Sequence, residues 1–145
     1  AAIQEGFLTV AHAGEEGPPE YIRESLNLLK VKRIDHGVQC LKDDKLVEIL
    51  LHKNIPLTVC PLSNIKLCVF DKLENHNLKK MLNKGLRVVV NSDDPAYFGG
   101  YLNTNYIETA RALQLSQEDI KILIQNSFKS SFLDEKTKNK WLSKF

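Results

Sequence analysis

Short apolar runs alternate with amphipathic stretches along this chain. The apolar runs predict four strands, at residues 7–12 (FLTVAH), 33–37 (RIDHG), 56–60 (PLTVC) and 86–91 (LRVVVN). Between these runs, and after the last of them, apolar residues recur at the spacing of helices. The first predicted helix begins near Pro18, and the others cover about residues 41–53, 77–83, 105–115, 117–128 and 135–144.

The predicted elements alternate between strand and helix up to the fourth strand, and only helices follow it. Strands joined by single helices pair in parallel through right-handed crossovers. Short apolar strands with little alternation also fit a sheet that is covered on both faces. The pattern therefore predicts an α/β fold, and it leaves open a doubly wound open sheet and half of a (β/α)₈ barrel. Nothing marks an internal domain boundary within residues 1–145.

The composition limits the classes of partner. The 145 residues are 43% hydrophobic, which is enough for one core. Lys and Arg total 20 against 18 Asp and Glu, and this balance argues against a nucleic-acid-binding surface. The basic residues at 136–144 are diluted by polar ones and fit a solvated helix face. No apolar run approaches the roughly 18 to 20 residues that span a bilayer, so neither nucleic acid nor membrane is an expected partner.

The cysteines and the first residues of the chain indicate the cellular compartment of the protein. Cys40, Cys60 and Cys68 are odd in number and form no CxxC pair, which is typical of buried thiols in a reducing compartment. We therefore expect a cytoplasmic protein, or a nuclear one in a eukaryote. The first residues lack the charged start and long apolar run of a signal peptide. The chain opens without Met onto a strand, which suggests a missing N-terminal part, although removal of the initiator Met is an alternative.

Polar residues capable of binding or catalysis follow each predicted strand. Convergence of four consecutive strand ends on one rim is how a β/α barrel builds its site. An open sheet normally builds its site where the strand order reverses. The distribution therefore favours the barrel. In chain order these residues are His12, Glu15, His36, Ser63, Asn64, Asp93 and Asp94.

Each of these residues also has a structural interpretation. A single histidine at a strand end is usually a hydrogen-bonded structural residue, and Glu15 could cap the helix that follows it. Asp94 precedes a proline, which is a common turn sequence, and Asn64 could form an Asx-type turn. Residues with unrelated structural roles would not be expected to lie on the same rim. Their occurrence together at four strand ends therefore favours a functional site. His52, late in a helix, and His76, in a polar turn, lack that support and are assigned to structure.

Residues of these types support metal-assisted hydrolysis. Histidine and carboxylate both bind zinc, and catalytic zinc usually takes three or more protein ligands and keeps a position for water. Bound zinc can lower the pKa of that water to about 7. Attack on an aromatic carbon that bears an amino group also requires a proton donor for the ring nitrogen and a partner that orients the hydroxide. Successive side chains at a strand end point in different directions, so one of two adjacent aspartates could hold the metal while the other contacts the substrate.

Four segments of the chain resemble, in order, successive motifs of the adenosine/adenine deaminase family. They are HAGE at 12–15, RIDHG at 33–37, CPLSN at 60–64 and NSDDP at 91–95. The longer strings HAGEEGPPEYI and VNSDDPAYFGGY are similar to the adenine deaminase branch of the family. The other zinc-deaminase design pairs HxE with PCxxC, and the absence of any CxxC excludes it here.

The resemblance implies a role for each reactive residue. His12 and Asp93 would be zinc ligands, and Glu15 would donate a proton to the purine ring. His36 would orient and activate the zinc-bound hydroxide, while Asp94 would hydrogen-bond the imidazole edge of the purine. The implied reaction converts adenine and water to hypoxanthine and ammonia. Deamination of adenosine to inosine, or a non-catalytic remnant that binds a purine or a partner protein, are the alternatives.

The largest departure from the family is the absence of an HxH motif, which supplies two further zinc ligands from the first barrel strand. The family motif at Ser63 and Asn64 is present, but no catalytic role is assigned to it. The four strands match the second half of an eight-stranded barrel, and 145 residues fall short of about 250 for a whole one. We therefore expect residues 1–145 to be a partial barrel domain that is inactive alone. Its open strand edges, at 7–12 and 86–91, would promote association into a homo-oligomer or aggregation.

Overall fold

A parallel sheet of four strands organises the molecule. The computed structural model describes residues 2–145, and the strands lie in the sheet in the order in which they occur along the chain. Each strand pairs in parallel with the next, which confirms the predicted α/β architecture. The strands are β1 (Val10–Ala13), β2 (Arg33–His36), β3 (Leu57–Val59) and β4 (Val88–Val90).

Helices connect the strands and follow the last one, as the pattern predicted. Two short 3₁₀ segments, Val38–Lys42 and Leu73–Asn75, precede the second and fourth α-helices. The α-helices are α1 (Pro19–Asn27), α2 (Asp44–His52), α3 (Pro61–Lys66), α4 (Leu78–Asn83), α5 (Pro95–Phe98), α6 (Leu102–Leu113), α7 (Gln117–Ser130) and α8 (Glu135–Leu142).

Three predicted elements start three residues away from where the structure places them. β1 begins at Val10 rather than at residue 7, since Phe7 and Leu8 are exposed and precede the strand pairing. The helix predicted from residue 41 begins at Asp44, because the Asp43 side chain accepts a hydrogen bond from the Leu46 N–H at 3.1 Å and caps it there. The helix predicted from residue 105 begins three residues earlier, at the start of α6.

Two short helices, α3 and α5, were not predicted. Each begins with a proline in the segment that follows a strand: Pro61 comes after Cys60 at the end of β3, and Pro95 follows the Asp93–Asp94 pair after β4. Proline favours a turn in a sequence pattern, but its fixed φ also suits the first turn of a helix. Both helices therefore start at the edge of the sheet to which the carboxyl ends of the strands point.

The core lies on the sheet and is completed by helices from several connections. β3 and β4 are buried at every position. Fully buried apolar side chains from the helices pack against them, among them Ile22, Leu46, Met81 and Leu123. On β4, the Asn126 side chain of α7 donates a hydrogen bond to the Val88 carbonyl at 3.0 Å. This helix therefore holds the last strand of the sheet in place.

The cysteines are unpaired. Cys40 and Cys60 are buried, Cys68 is exposed, and all three are free thiols. Within residues 2–145, none of the helices combines the length and the apolar character that a membrane crossing requires.

Candidate active site

The carboxyl ends of the four strands meet around one cavity. Its volume is about 410 Å³, and residues from all four strand ends line it. His12 on β1, His36 at the end of β2 and Asp93 after β4 are among them. The parallel register sets Ala13 opposite His36, so the ends of β1 and β2 lie at the same level. The predicted convergence of reactive side chains on one rim is therefore present in the structure.

A glycine turn brings Glu15 next to His12 and His36. Gly14 has a φ of +69°, and a Cβ built on it would lie 2.3 Å from the Ile22 side chain of α1. Only glycine combines this backbone conformation with so close an approach to the helix. As a result the chain leaves β1 in a sharp turn, and the Glu15 side chain is only 4% exposed.

Glu15 contacts three polar side chains. Its Oε2 lies 3.0 Å from His12 Nε2, and its Oε1 lies 3.2 Å from His36 Nδ1. The same Oε1 accepts a hydrogen bond from Asn64 Nδ2 at 2.6 Å. Burial raises the pKa of Glu15, against the opposing effect of the His12 ring. A buried carboxyl with a raised pKa is suited to hold a proton and to donate it.

His36 is held in an uncommon backbone conformation. Its φ is +68° and that of Gly37 is +69°, so two consecutive left-handed residues end β2. Such a conformation is rare for residues other than glycine and is often found at functional sites. Burial, with a further contribution from the His12 ring, lowers the pKa of His36 to about 4. The imidazole is therefore neutral at pH 7, and one of its nitrogens can accept a proton.

The two adjacent aspartates after β4 have different surroundings. Asp93 Oδ2 accepts a hydrogen bond from Ser63 Oγ at 2.7 Å and lies 3.7 Å from His36 Nε2. Asp94 instead caps α5, since its Oδ1 accepts hydrogen bonds from the N–H groups of Ala96 and Tyr97 at 3.0 and 3.2 Å. Asp93 lines the cavity, whereas Asp94 lies next to it on the rim.

Sequence reasoning missed a buried chain of hydrogen bonds behind Glu15. His76 and Asn64 are both buried, and their side chains are joined by a contact of 3.1 Å between His76 Nε2 and Asn64 Oδ1. Asn64 lies in α3 and not in an Asx-type turn. Its place in a family motif was a signal that it matters, whereas nothing in the sequence indicated that His76 would turn inward. His52, also assigned to structure, is exposed at the end of α2.

Two overlapping groups of side chains could hold a metal ion. His12, Glu15 and His36 form one, and His36, Cys60 and Asp93 form the other, with the ligand atoms of each within 4.8 Å of one another. The two predicted zinc ligands, His12 and Asp93, thus belong to different groups that share His36. Burial raises the pKa of Cys60 to about 12, so it is a neutral thiol and a poor ligand. Imidazole and carboxylate remain, and both suit zinc.

Comparison with known proteins places the chain in a family. The model of the adenosine deaminase family matches residues 1–145. The chain belongs to this family. It is 57% identical over 141 residues to the adenine deaminase of Acinetobacter baylyi, an alignment that covers 97% of this chain and 42% of that protein. The chain therefore spans less than half the length of this relative.

Solved structures agree with this assignment. Adenine deaminase from Arthrobacter aurescens is 48% identical with a TM-score of 0.96, and the match covers 98% of this chain and 43% of that one. An amidohydrolase from Burkholderia ambifaria with bound zinc is 28% identical with a TM-score of 0.86, over 97% and 40% of the chains. The fold is also that of the ADAL–IMP complex, at 24% identity and a TM-score of 0.81, over 95% and 40%. The predicted family and the four-stranded part of a deaminase barrel are thus confirmed.

Proposed function

We propose that this chain is the second half of the barrel of an enzyme that hydrolyses adenine to hypoxanthine and ammonia. Identities of 57% and 48% to two adenine deaminases support the choice of adenine. The sheet, with its site at the carboxyl ends of the strands, supports a barrel enzyme. The rest of the enzyme would complete the sheet and the site.

The buried pair of Glu15 and His36 is the observation that carries this proposal. Hydrolytic deamination of a purine needs one group that protonates a ring nitrogen and another that takes a proton from the attacking water. Glu15, whose pKa is raised by burial, is suited to the first role. His36 is suited to the second, because its Nδ1 can donate to Glu15 Oε1 at 3.2 Å. Its Nε2, 3.7 Å from Asp93 Oδ2, is then left to accept a proton.

His12 and Asp93 would hold the zinc ion, with further ligands from outside these residues. When bound, zinc supplies a Lewis acid that lowers the pKa of water. The Ser63 hydroxyl, which donates to Asp93 Oδ2 at 2.7 Å, would hold that carboxylate in its ligating orientation. The zinc-bound relative from Burkholderia ambifaria supports the choice of metal.

Asp94 would hydrogen-bond the imidazole edge of the purine. Two backbone N–H groups of α5 bind its Oδ1, at 3.0 and 3.2 Å, and restrict the side chain to one orientation on the rim of the cavity. A carboxylate held in this way is a preorganised acceptor for a ring N–H. The N9 nitrogen of adenine carries no sugar, whereas that of adenosine carries a ribose. The two substrates therefore differ in whether the pocket must accommodate a ribose at N9.

Release of ammonia by the zinc-loaded, full-length protein tests the proposal, with adenine and adenosine as parallel substrates. We expect turnover of adenine and little or none of adenosine. Turnover of adenosine alone would instead assign the chain to the activity for which the family is named. Absence of turnover with both purines would contradict the proposal and favour a protein that only binds a purine or a partner.

A further inference from the structure

We propose that His76 and Asn64 are positioning residues that fix the Glu15 side chain for proton donation. The inference rests on the proposed function of Glu15. Neither residue is needed as a metal ligand or a substrate contact in that proposal. Their role would be exerted through a chain of hydrogen bonds that ends on one oxygen of Glu15.

The direction of this chain follows from its first member, a backbone N–H. The Leu78 N–H can only donate, and it lies 3.0 Å from His76 Nδ1. Nδ1 must therefore accept, and the neutral ring carries its proton on Nε2. Nε2 then donates to Asn64 Oδ1 at 3.1 Å. This contact fixes the amide of Asn64 so that its nitrogen, and not its oxygen, faces Glu15 Oε1 at 2.6 Å.

The surroundings of the chain keep it rigid. His76 is 3% exposed and Asn64 is fully buried. The His76 ring packs on the Phe70 ring with a centroid distance of 4.4 Å, and the Asn64 carbonyl accepts a hydrogen bond from the Val69 N–H at 2.9 Å. Burial lowers the pKa of His76 to about 4, which keeps the ring in its neutral form at pH 7. Every member of the chain is therefore held in one orientation.

The chain also distinguishes the two oxygens of Glu15. Oε1 accepts from Asn64 at 2.6 Å and lies 3.2 Å from His36 Nδ1, so two donors can occupy its lone pairs. Glu15 is therefore anchored at Oε1 by the buried chain, while Oε2 lies 3.0 Å from His12 Nε2. Without the Asn64 amide, Oε1 would lose its shortest hydrogen bond and the Glu15 side chain would be free to turn away from this orientation.

Kinetics of variants in the zinc-loaded, full-length protein test this role. His76→Phe keeps a flat ring against Phe70 but removes both nitrogens, and Asn64→Asp keeps the shape but replaces the donor with an acceptor. We expect each to lower kcat with adenine on the order of 100-fold and to leave KM within about threefold, because neither residue lines the cavity. In His76→Gln the glutamine amide can still donate to Asn64, so the kcat of this variant should stay within about tenfold of wild type. His52→Phe, the same change at an exposed site, should leave kcat unchanged.

A double-mutant cycle separates positioning from a general structural effect. In a Glu15→Gln background, His76→Phe should lower the residual kcat by less than about threefold, because residues that act as a unit are not additive. Equal losses of kcat in both backgrounds would overturn the proposal. So would a folded, zinc-loaded His76→Phe protein whose kcat is within about threefold of wild type.

Nitrogen NMR of His76 tests the chain without relying on activity. The wild-type protein should show a neutral ring with its proton on Nε2, and Glu15→Gln should shift both the Nε2–H and the Asn64 amide resonances. A ring protonated on Nδ1, or resonances unaffected by Glu15→Gln, would overturn the inference. If the wild-type protein turns over neither purine, the proposed function fails, and the hydrogen-bond chain is then judged on these resonances alone.

Discussion

Three buried titratable side chains in and behind the site are shifted toward their neutral forms. Burial raises the pKa of Glu15 and lowers the pKa of His36 and of His76 to about 4 each. A carboxyl that can keep its proton beside an imidazole that lacks one is the pairing that acid–base catalysis at neutral pH requires. The same burial has a cost in acid, because a buried neutral histidine opposes protonation in the folded state while the unfolded chain accepts the proton.

His76 should make the fold sensitive to acid. Its pKa falls from 6.5 to about 4 on folding, so its contribution to stability is fully present above pH 6.5 and is lost as the pH falls toward 4. When the pH falls from 7.5 to 5, we expect the shifted pKa of His76 to lower the free energy of unfolding by about 2 kcal/mol. Urea unfolding of the metal-free, full-length protein at both pH values should therefore show a weaker pH dependence for His76→Gln.

The exposed His52 provides the control for this measurement. His52→Gln should leave the difference in unfolding free energy between the two pH values as it is in the wild type. If His76→Gln and the wild-type protein lose the same free energy of unfolding on acidification, burial of His76 is not the source of the acid sensitivity.

At the scale of elements, the turn from β1 into α1 is the most constrained connection in the site. Gly14→Ala would combine a φ of +69° with a Cβ 2.3 Å from Ile22 Cδ1. The left-handed conformation alone costs about 1 kcal/mol for alanine, and the overlap adds to it. We therefore expect Gly14→Ala to destabilise the fold by about 2 to 4 kcal/mol and to displace Glu15.

Gly85→Ala is the matched control for this turn. Gly85 also has a positive φ, +83°, but a Cβ there would meet only Leu51 Cδ2 at 3.7 Å, an ordinary contact. Gly85→Ala should lower the free energy of unfolding by about 1 kcal/mol, which is the penalty of the left-handed conformation alone. Unfolding free energies from urea titrations compare the two variants. Equal costs would mean that the close approach to α1 does not constrain the turn.

The sequence was informative where local pattern and topology act together. Apolar runs located all four strands, and the rule that parallel strands end on one edge predicted that His12, His36 and Asp93 would share a cavity. The sequence pattern failed to predict the secondary structure where one residue type is compatible with two local conformations. The proline after Asp94 fits a turn as well as a helix start, and α5 begins there. No helix was predicted at Pro61, where α3 begins.

His76 shows the limit of local pattern most clearly. It follows a short 3₁₀ segment rich in polar residues, and only the tertiary packing of α4 and of Phe70 turns its ring toward Asn64. The chemical roles of the site residues, in contrast to their positions, stay predictions.

At the scale of the whole molecule, the sheet of the 145-residue chain has two open edges. Within residues 2–145, β1 pairs only with β2 and β4 only with β3. Phe7 and Leu8, which are exposed, lie just upstream of β1 and are separated from it by Thr9. Unpaired strand edges beside exposed apolar side chains promote association. The isolated chain should therefore form oligomers or aggregates, and light scattering during gel filtration measures this directly.

A lysine near the β1 edge should reduce this association. Leu8→Lys places a charge two residues before the start of β1. Leu28→Lys places one at the end of α1, where the leucine is also exposed. The first variant should shift the population toward monomer and the second should not. A monodisperse wild-type monomer would contradict the prediction that the edges drive association.

The proposed function depends most directly on proton donation by Glu15. Adjacent Glu16 offers a matched control, because it is exposed while Glu15 is buried. The decisive measurement is kcat for adenine of the zinc-loaded, full-length protein with Glu15→Gln or Glu16→Gln, at equal zinc content. Glu15→Gln should lower kcat by at least about 100-fold, and Glu16→Gln should leave it within about twofold of wild type. A Glu15→Gln protein that keeps wild-type kcat would contradict the account.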